Sequence, residues 1–330
     1  MCSEHQGLVV PGETPRPYVP EAHEGLGDDS GRKRAAVNEQ GARRKLEYPP
    51  APQPLPVPVI DNHTHMDFHD GDVALSVSQH MDVAEQVGIS GAVQIGTDVE
   101  SSRWSVAAAE SDQRVLAAVA LHPNDAARAY AEGTLEDDLA VIEQLAGHPR
   151  VRAIGETGLD YFRTTEEGWA PQHESFRRHL DIAQRLNLPV QIHDRDAHDD
   201  TVRILEEENF DGTVVFHCFS GPVPMAKKAR ERGWYVSFGG TVTFKNNHEL
   251  REAIMAAGPQ LLMAETDAPF LTAHPFRGRP NAPYMTPYAV RFVADMFGMD
   301  LDEFCHTLNE NSTRVYGDFA AGFTQESPEQ

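Results

Sequence analysis

Hydrophobic residues in this chain form short apolar runs that alternate with longer amphipathic stretches from residue 58 onward. The runs are almost entirely apolar, which is typical of strands buried on both faces of a parallel sheet. They place strands at 58–61, 92–95, 116–121, 152–155, 190–192, 214–216, 235–237 and 261–264. The amphipathic stretches place helices at 73–87, 101–110, 135–145, 172–186, 197–208, 223–232, 247–256 and 286–297, with another at 300–311. Eight strand–helix units predict an α/β fold, a (β/α)8 TIM barrel with a disordered N-terminal extension. An open doubly wound sheet is the alternative.

The two ends of the chain lack this pattern. Residues 1 to about 50 are rich in Pro, Gly, Glu and Arg, a composition that favours disorder, and the alternating prolines that follow predict a stiff linker. We therefore predict a disordered leader and linker at 1–56, a barrel at 57–316 and a weakly ordered tail at 317–330. Basic clusters at 32–34 and 43–45 could form an arm that contacts nucleic acid, but interspersed acidic residues favour a solvated tail.

Composition narrows the class of protein. The 330 residues include 28 Lys plus Arg against 51 Asp plus Glu, a net charge of −23, which is the wrong sign for broad phosphate neutralisation on duplex DNA. Any anionic substrate must therefore be bound by positive charge concentrated at its site, because the protein as a whole is negatively charged. No apolar run approaches the ~18 residues of a membrane helix, and no secretory signal is evident. Cys2, Cys218 and Cys305 are odd in number and widely spaced, which suits a reducing compartment. We predict a cytoplasmic protein with no membrane partner.

Two histidines, His63 and His65, follow directly on the first predicted strand. Side chains at i and i+2 of an extended backbone lie on one face, so both imidazoles can contact a single metal ion. A polar loop that happens to hold two histidines is the alternative.

Four more residues of ligand type lie at the ends of other predicted strands: Glu156, His193, His217 and Asp267. Taken singly, each histidine could be a hydrogen-bonded core residue, and each carboxylate could cap a turn or a helix. In a TIM barrel, however, the carboxyl ends of the strands meet at the catalytic face. Six such residues exceed the needs of one tetrahedral ion, and a carboxylate able to bridge indicates two.

Four stretches carry a resemblance to a known family: 61–67 (DNHTHMD), 155–161 (GETGLDY), 217–221 (HCFSG) and 265–271 (ETDAPFL), with support from 121–123, 237–245 and 277–281. They resemble the TatD family of metal-dependent deoxyribonucleases, within the amidohydrolase superfamily. The resemblance extends from about residue 57 to the last predicted helix. It implies a (β/α)8 barrel and metal-dependent hydrolysis of phosphodiester bonds, with 3′-end exonuclease action on single strands.

The resemblance also implies roles for the candidate ligands. The first of two divalent ions would be bound by His63, His65, Glu156 and Asp267, and the second by Glu156, His193 and His217. Glu156 would bridge where many amidohydrolases use a carboxylated lysine. Two ions would lower the pKa of a shared water, and Asp267 is the candidate general base. The mixed histidine and carboxylate set leaves Zn, Mn and Mg open.

Substrate contacts are predicted on the loops of the same face, at His122, Arg163, Phe244, Lys245, Arg277 and Arg279. Structural hydrogen bonding for His122 and a solvated surface role for the arginines are the alternatives. The predicted function is 3′–5′ exonuclease hydrolysis of single-stranded DNA or RNA by a monomer. A D-aminoacyl-tRNA deacylase or another ester or amide hydrolase is the alternative, whereas a non-catalytic binding protein would leave a complete ligand set and base unexplained.

Overall fold

Eight parallel strands form the barrel, each at a place predicted from an apolar run. A computed structural model describes residues 32–37, 41–71 and 74–323. The barrel strands are β1 (Val59–Thr64), β2 (Ile89–Ile95), β3 (Val115–Val119), β4 (Val151–Asp160), β5 (Val190–Arg195), β6 (Val214–Phe216), β7 (Tyr235–Phe238) and β8 (Leu262–Ala264). Each pairs in parallel with the next along the chain. A parallel bridge between Thr64 and Ala268 brings β8 against β1. The barrel prediction is confirmed.

Helices surround the strands: α1 (Val77–Gln86), α2 (Val99–Ser111), α3 (Pro123–Glu132), α4 (Leu135–Ala146), α5 (Trp169–Leu186), α6 (His198–Glu207), α7 (Val223–Arg232), α8 (His248–Ala257), α9 (Thr286–Phe297) and α10 (Leu301–Tyr316). Ser76 and Asp98 begin α1 and α2 as capping boxes, accepting hydrogen bonds from the third helical amide. The sequence prediction missed α3, because its alanines replace the large apolar residues that would mark a buried face. His122 caps α3, and Pro123 occupies its first position, where no amide donor is needed.

The core has two layers because alternate strand residues point to opposite sides. Val93, Leu116, Val215 and Met263 belong to a cluster inside the barrel, while a larger cluster fills the space between the strands and the helices. Each fully buried aliphatic side chain stabilises the fold by about 1.5–3 kcal/mol relative to exposure. The strand ends that carry the candidate ligands therefore rest on a packed scaffold.

The described part of the predicted leader packs against the barrel. Arg32–Lys33 pairs in parallel with Phe68–His69, and Arg44 forms an ion pair of 2.7 Å with Asp70. Tyr48 is only 4% exposed, and its hydroxyl donates to the Asp70 carbonyl at 2.8 Å. These contacts correct the predicted disorder for residues 41–56. The prediction rested on composition, which cannot show that one tyrosine is buried or that a few specific ion pairs form. Residues 1–31 and 38–40 lie outside the described residues.

The proline-rich linker is also held in place, through its carbonyl groups. The hydroxyl of Tyr284 donates to the Pro49 carbonyl at 2.6 Å, and that of Tyr288 to the Pro50 carbonyl at 2.9 Å. Proline supplies no amide donor, so the prolines of the linker are held through their carbonyls, while the Leu55 amide donates to the Val87 carbonyl at 3.0 Å.

The start of the predicted weakly ordered tail likewise has partners. The buried guanidinium of Arg150 donates to the Ala321 carbonyl at 3.0 Å and lies 5.5 Å from the centre of the Phe323 ring. Residues 318–323 are thus ordered by a buried cation, while 324–330 lie outside the described residues. No helix in the described part of the chain is long and apolar enough to cross a bilayer.

Candidate metal centre

The six candidate ligands converge at the carboxyl end of the barrel, and Glu156 lies between two groups of them. Its Oε1 is 3.5 Å from His65 Nε2 and 3.9 Å from His63 Nε2. Its Oε2 is 2.8 Å from His217 Nε2 and 3.3 Å from His193 Nδ1. One carboxylate therefore presents a separate oxygen to each pair of histidines, as a bridging ligand must.

Asp267 completes the group around the first histidine pair. Its Oδ1 lies 3.5 Å from His65 Nε2 and 3.9 Å from His63 Nε2. The residue has a left-handed backbone, with φ of 51°, which aspartate tolerates better than most residues. Its amide donates to the His63 carbonyl at 2.9 Å, so the bond that brings β8 to β1 also positions the carboxylate.

The orientation of His63 and His65 fits a cation between them. Nδ1 of His63 faces Gln191 Oε1 at 2.7 Å, and Nδ1 of His65 faces the Ile95 carbonyl at 3.3 Å. These acceptors hold the proton on Nδ1, so each Nε2 carries a lone pair. The two Nε2 atoms are nevertheless 3.3 Å apart. Two lone pairs aimed at one position, beside carboxylate oxygens, match the donor set of a divalent ion.

Gln191 fixes this tautomer through its other bonds. Its Nε2 donates to the Asn62 carbonyl at 2.9 Å and to the Tyr316 hydroxyl at 2.7 Å. The amide nitrogen has no freedom to exchange places with Oε1, which must therefore face His63. The sequence prediction did not single out Gln191, although its position two residues before His193 on β5 places it on the same strand face.

Electrostatics at the centre favour the ionised carboxylate. Burial opposes charge on Glu156, but the facing His217 and the hydrogen bonds with His193 and His217 outweigh it and hold the pKa of Glu156 well below its ordinary value. Burial also opposes charge on His63, and together with His217 it lowers the pKa of His63 well below the usual range. The His63 and His217 rings stack with centroids 3.8 Å apart; burial opposes charge on His217, but the neighbouring Glu156 and Glu265 carboxylates raise the pKa of His217 well above its ordinary value.

Two further carboxylates orient the histidines of the second pair. Asp160 Oδ2 lies 3.2 Å from His193 Nε2, leaving Nδ1 directed at Glu156. Glu265 Oε1 accepts from the amide of Cys218 at 2.7 Å and lies 3.7 Å from His217 Nδ1. Such carboxylate–histidine contacts align metal ligands and raise their basicity. Both carboxylates stand inside the motifs identified in the sequence, but spacing alone did not reveal these partners.

Asp61 braces the strand that carries the histidine pair. The buried Asp61 carboxyl accepts from the Thr266 amide at 2.8 Å and from its hydroxyl at 2.6 Å, which ties β1 to the residue before Asp267. Burial raises the pKa of Asp61 to about 8. The DNHTHMD stretch thus supplies a brace as well as two candidate ligands.

The predicted substrate contacts fall into different environments. His122 lies beside the centre, its ring centroid 4.5 Å from that of His193, and with Glu156 and His193 it forms one of the groups able to hold a metal. Lys245 is exposed, and Arg277 covers the Phe244 ring at 4.6 Å.

Arg163 and Arg279 differ in what surrounds them. Arg163 is exposed after β4. The guanidinium of Arg279 instead donates to the carbonyls of Glu47 and Tyr48 at 3.0 and 2.8 Å. It therefore secures the N-terminal segment, and the substrate contact at Arg279 stays a prediction.

Comparison with known proteins agrees with this geometry. The family model described as TatD related DNase matches residues 60–317. The chain is 40% identical over 263 residues to the uncharacterized metal-dependent hydrolase TatD of Mycobacterium tuberculosis, covering 78% of this chain and 98% of that one. It is 35% identical over 259 residues to the corresponding YabD of Bacillus subtilis, with the same coverage of 78% and 98%.

A solved structure supports the same assignment. The crystal structure of YjjV, a TatD homologue from Escherichia coli, superposes with a TM-score of 0.70 at 27% identity, covering 78% of this chain and 97% of that chain. The matched region begins at β1 and ends after α10, so the N-terminal segment lies outside it. The chain belongs to the TatD family and is a metal-dependent hydrolase.

Proposed function

We propose that this hydrolase cleaves phosphodiester bonds at the 3′ ends of single-stranded DNA. The observation that carries the proposal is the division of the Glu156 carboxylate between two histidine pairs, Oε1 towards His63 and His65 and Oε2 towards His193 and His217. Two-ion sites of this kind suit displacement at a phosphoryl group, because attacking and leaving oxygens need stabilisation on opposite sides. The family model described as TatD related DNase supports the same choice.

The chemistry divides between the ions and the side chains. Two divalent ions bound at these donors would acidify water and neutralise charge on the phosphate. Asp267 is placed to accept the proton of the attacking water, since its Oδ1 lies within 3.9 Å of both Nε2 atoms of the first histidine pair. Its side chain is 13% exposed, so water can reach the carboxylate.

His122 is suited to hydrogen bonding with substrate rather than to ion pairing. Burial and the neighbouring His193 lower the pKa of His122 to about 3, so the ring is neutral near pH 7. Nδ1 accepts from the Asn124 amide at 3.1 Å, which leaves the proton on Nε2. That N–H can donate to a phosphate or leaving-group oxygen.

The substrate's charge is accommodated locally. In a chain of net charge −23, an anion is attracted only where cations are concentrated, at the bound ions and at basic side chains of the opening. Arg277 over Phe244 offers a cation and an aromatic face together, a pairing suited to a nucleotide.

The test is a side-by-side assay of metal-stripped protein reloaded with Zn²⁺, Mn²⁺ or Mg²⁺ on labelled single-stranded DNA, RNA and aminoacyl-tRNA. We expect shortening of DNA from the 3′ end. His63→Ala should lose activity that excess metal partly restores, whereas the control His306→Ala, at an exposed position of α10, should behave as wild type. If the DNA stays intact while the aminoacyl-tRNA is deacylated, the nuclease proposal is refuted and the protein is a deacylase.

A further inference from the structure

Phe162, in the loop after β4, is an exposed aromatic residue at the catalytic end of the barrel. It is 60% exposed. Among the other exposed large apolar residues in the described ranges, Tyr130, Leu186, Met255 and Phe292 lie on outer helices. A phenylalanine left in water next to a metal centre forgoes the stabilisation that burial would give. Its position suggests that a ligand covers it.

Arg195, at the end of β5, stacks on this ring. Its guanidinium carbon lies 4.0 Å from the Phe162 ring centre, and within the described residues no carboxylate lies at ion-pairing distance from it. A stacked guanidinium keeps its N–H donors at the edge of the plane, where a phosphate can accept them. Arg163 contributes a second cation, 6.0 Å from the same ring.

The pair is tied to the candidate metal centre by Asp160. One oxygen of this carboxylate accepts from the amides of Phe162 and Arg163 at 3.0 and 2.7 Å. The other contacts His193 Nε2 at 3.2 Å. Arg195 lies two residues beyond His193 on β5, on the same strand face and about 7 Å farther along. The stacking surface is therefore fixed relative to the centre and lies within one nucleotide's reach of it.

We propose that Phe162, Arg195 and Arg163 form a nucleotide-binding subsite, in which a base of single-stranded DNA stacks on Phe162 and its phosphate contacts Arg195. The proposal rests on the proposed nuclease function and specifies how the strand is held next to the cleaved bond. Stacking on an aromatic side chain accepts any base, so this subsite selects unpaired DNA without selecting sequence. A base within a duplex has both faces covered and cannot stack here.

Binding is measured by fluorescence anisotropy with the full-length, metal-loaded protein and a labelled oligothymidylate whose 3′ linkages are hydrolysis-resistant phosphorothioates. Phe162→Ala should raise Kd about 5- to 150-fold, the fold-change equivalent of losing one stacked base. Phe162→Trp should bind at least as tightly as wild type. Tyr130→Ala is the matched control, because Tyr130 is 61% exposed on α3, and it should not change Kd.

A scan with abasic nucleotides identifies the stacked position. One abasic position near the 3′ end should weaken wild-type binding but not binding by Phe162→Ala, a coupling that a merely structural role for Phe162 would not produce. Arg195→Gln should reduce the slope of log Kd against log salt by about 0.7. Arg314→Gln, a control on the outer helix α10 where Arg314 pairs with Glu310, should leave the slope unchanged.

The outcomes separate this subsite from the proposed reaction. Kd for Phe162→Ala within twofold of wild type, or abasic effects equal in both proteins, would overturn the subsite even if DNA is hydrolysed. Loss of stacking coupled to one base, in a protein that hydrolyses no DNA with any metal, would support the subsite and refute the nuclease proposal.

Discussion

Replacing Gly158 by alanine should separate β4 from β5 beside the candidate metal centre. Gly158 is the register partner of His193, and its φ is +131°, a region that side chains other than glycine rarely adopt. A Cβ built on Gly158 would lie 2.1 Å from the His193 carbonyl oxygen. Because both atoms belong to backbone or are fixed to it, no side-chain rotation relieves the contact.

The size of the effect follows from this geometry. To reach 3.0 Å, the shortest separation that real Cβ atoms show, the two strands must move apart by about 0.9 Å. Strain at such a φ costs about 1–3 kcal/mol, and weakening one or two ladder hydrogen bonds costs about 1 kcal/mol each. We expect a loss of about 3–4 kcal/mol in the free energy of unfolding, or roughly 5–7 °C in Tm for a domain of this size.

Function should suffer more than stability. A displacement near 1 Å of a positioning group can reduce a rate by about 10²-fold, and here His193 itself moves. Thermal unfolding, metal content after dialysis and DNA hydrolysis are measured together. We expect weaker retention of metal and a large fall in kcat.

The control is Gly233→Ala, because Gly233 has a φ of +71° and no atom within 4 Å of the position that an added Cβ would take. It should show only the backbone strain of about 1–2 kcal/mol with normal metal content. Equal stability loss in the two variants, with full metal binding in Gly158→Ala, would refute the steric argument.

Three further predictions concern the base, acid stability and the N-terminal segment. Asp267→Asn should retain most of the metal while kcat falls about 10²- to 10⁴-fold; near-normal kcat on single-stranded DNA would remove Asp267 as the base. Burial lowers the pKa of His179 to about 4 from 6.5, so the unfolded chain takes up the proton first as pH falls. The stability contributed by neutral His179 is complete above pH 6.5 and is lost progressively towards pH 4, with about 2 kcal/mol lost by pH 5. Urea unfolding of wild type and His179→Gln, measured above pH 6.5 and at pH 5, tests this. Equal pH dependence of the free energy of unfolding in the two proteins would contradict it. Tyr48→Ala should lower the free energy of unfolding by about 3 kcal/mol, and an unchanged urea midpoint would show that the N-terminal segment contributes nothing to the barrel.

The sequence determined the barrel and the identity of its candidate ligands. Strands buried on both faces have to be short and apolar, so their positions are legible without knowledge of their neighbours. Because all parallel strands of a barrel end on one face, ligand-type residues at those ends are brought together whatever the loops do. That is why His63, His193 and Asp267, more than two hundred residues apart at the extremes, could be assigned to one opening.

The family resemblance implied how those residues divide between two ions, but only the tertiary structure decided which oxygen of Glu156 faces which histidine pair and what supports the ligands. The separation of the Glu156 oxygens between two histidine pairs depends on side-chain directions across four strands, which no spacing encodes. The role of Asp160, which joins His193 to the Phe162 loop, depends on the register between β4 and β5. Arg279 shows that a position after a strand end does not by itself assign a role, because its guanidinium donates to the Glu47 and Tyr48 carbonyls of the N-terminal segment. The local periodicity of the sequence indicates which residues are buried. Hydrogen-bond partners that are distant in sequence are determined only by the closed barrel, which brings them together.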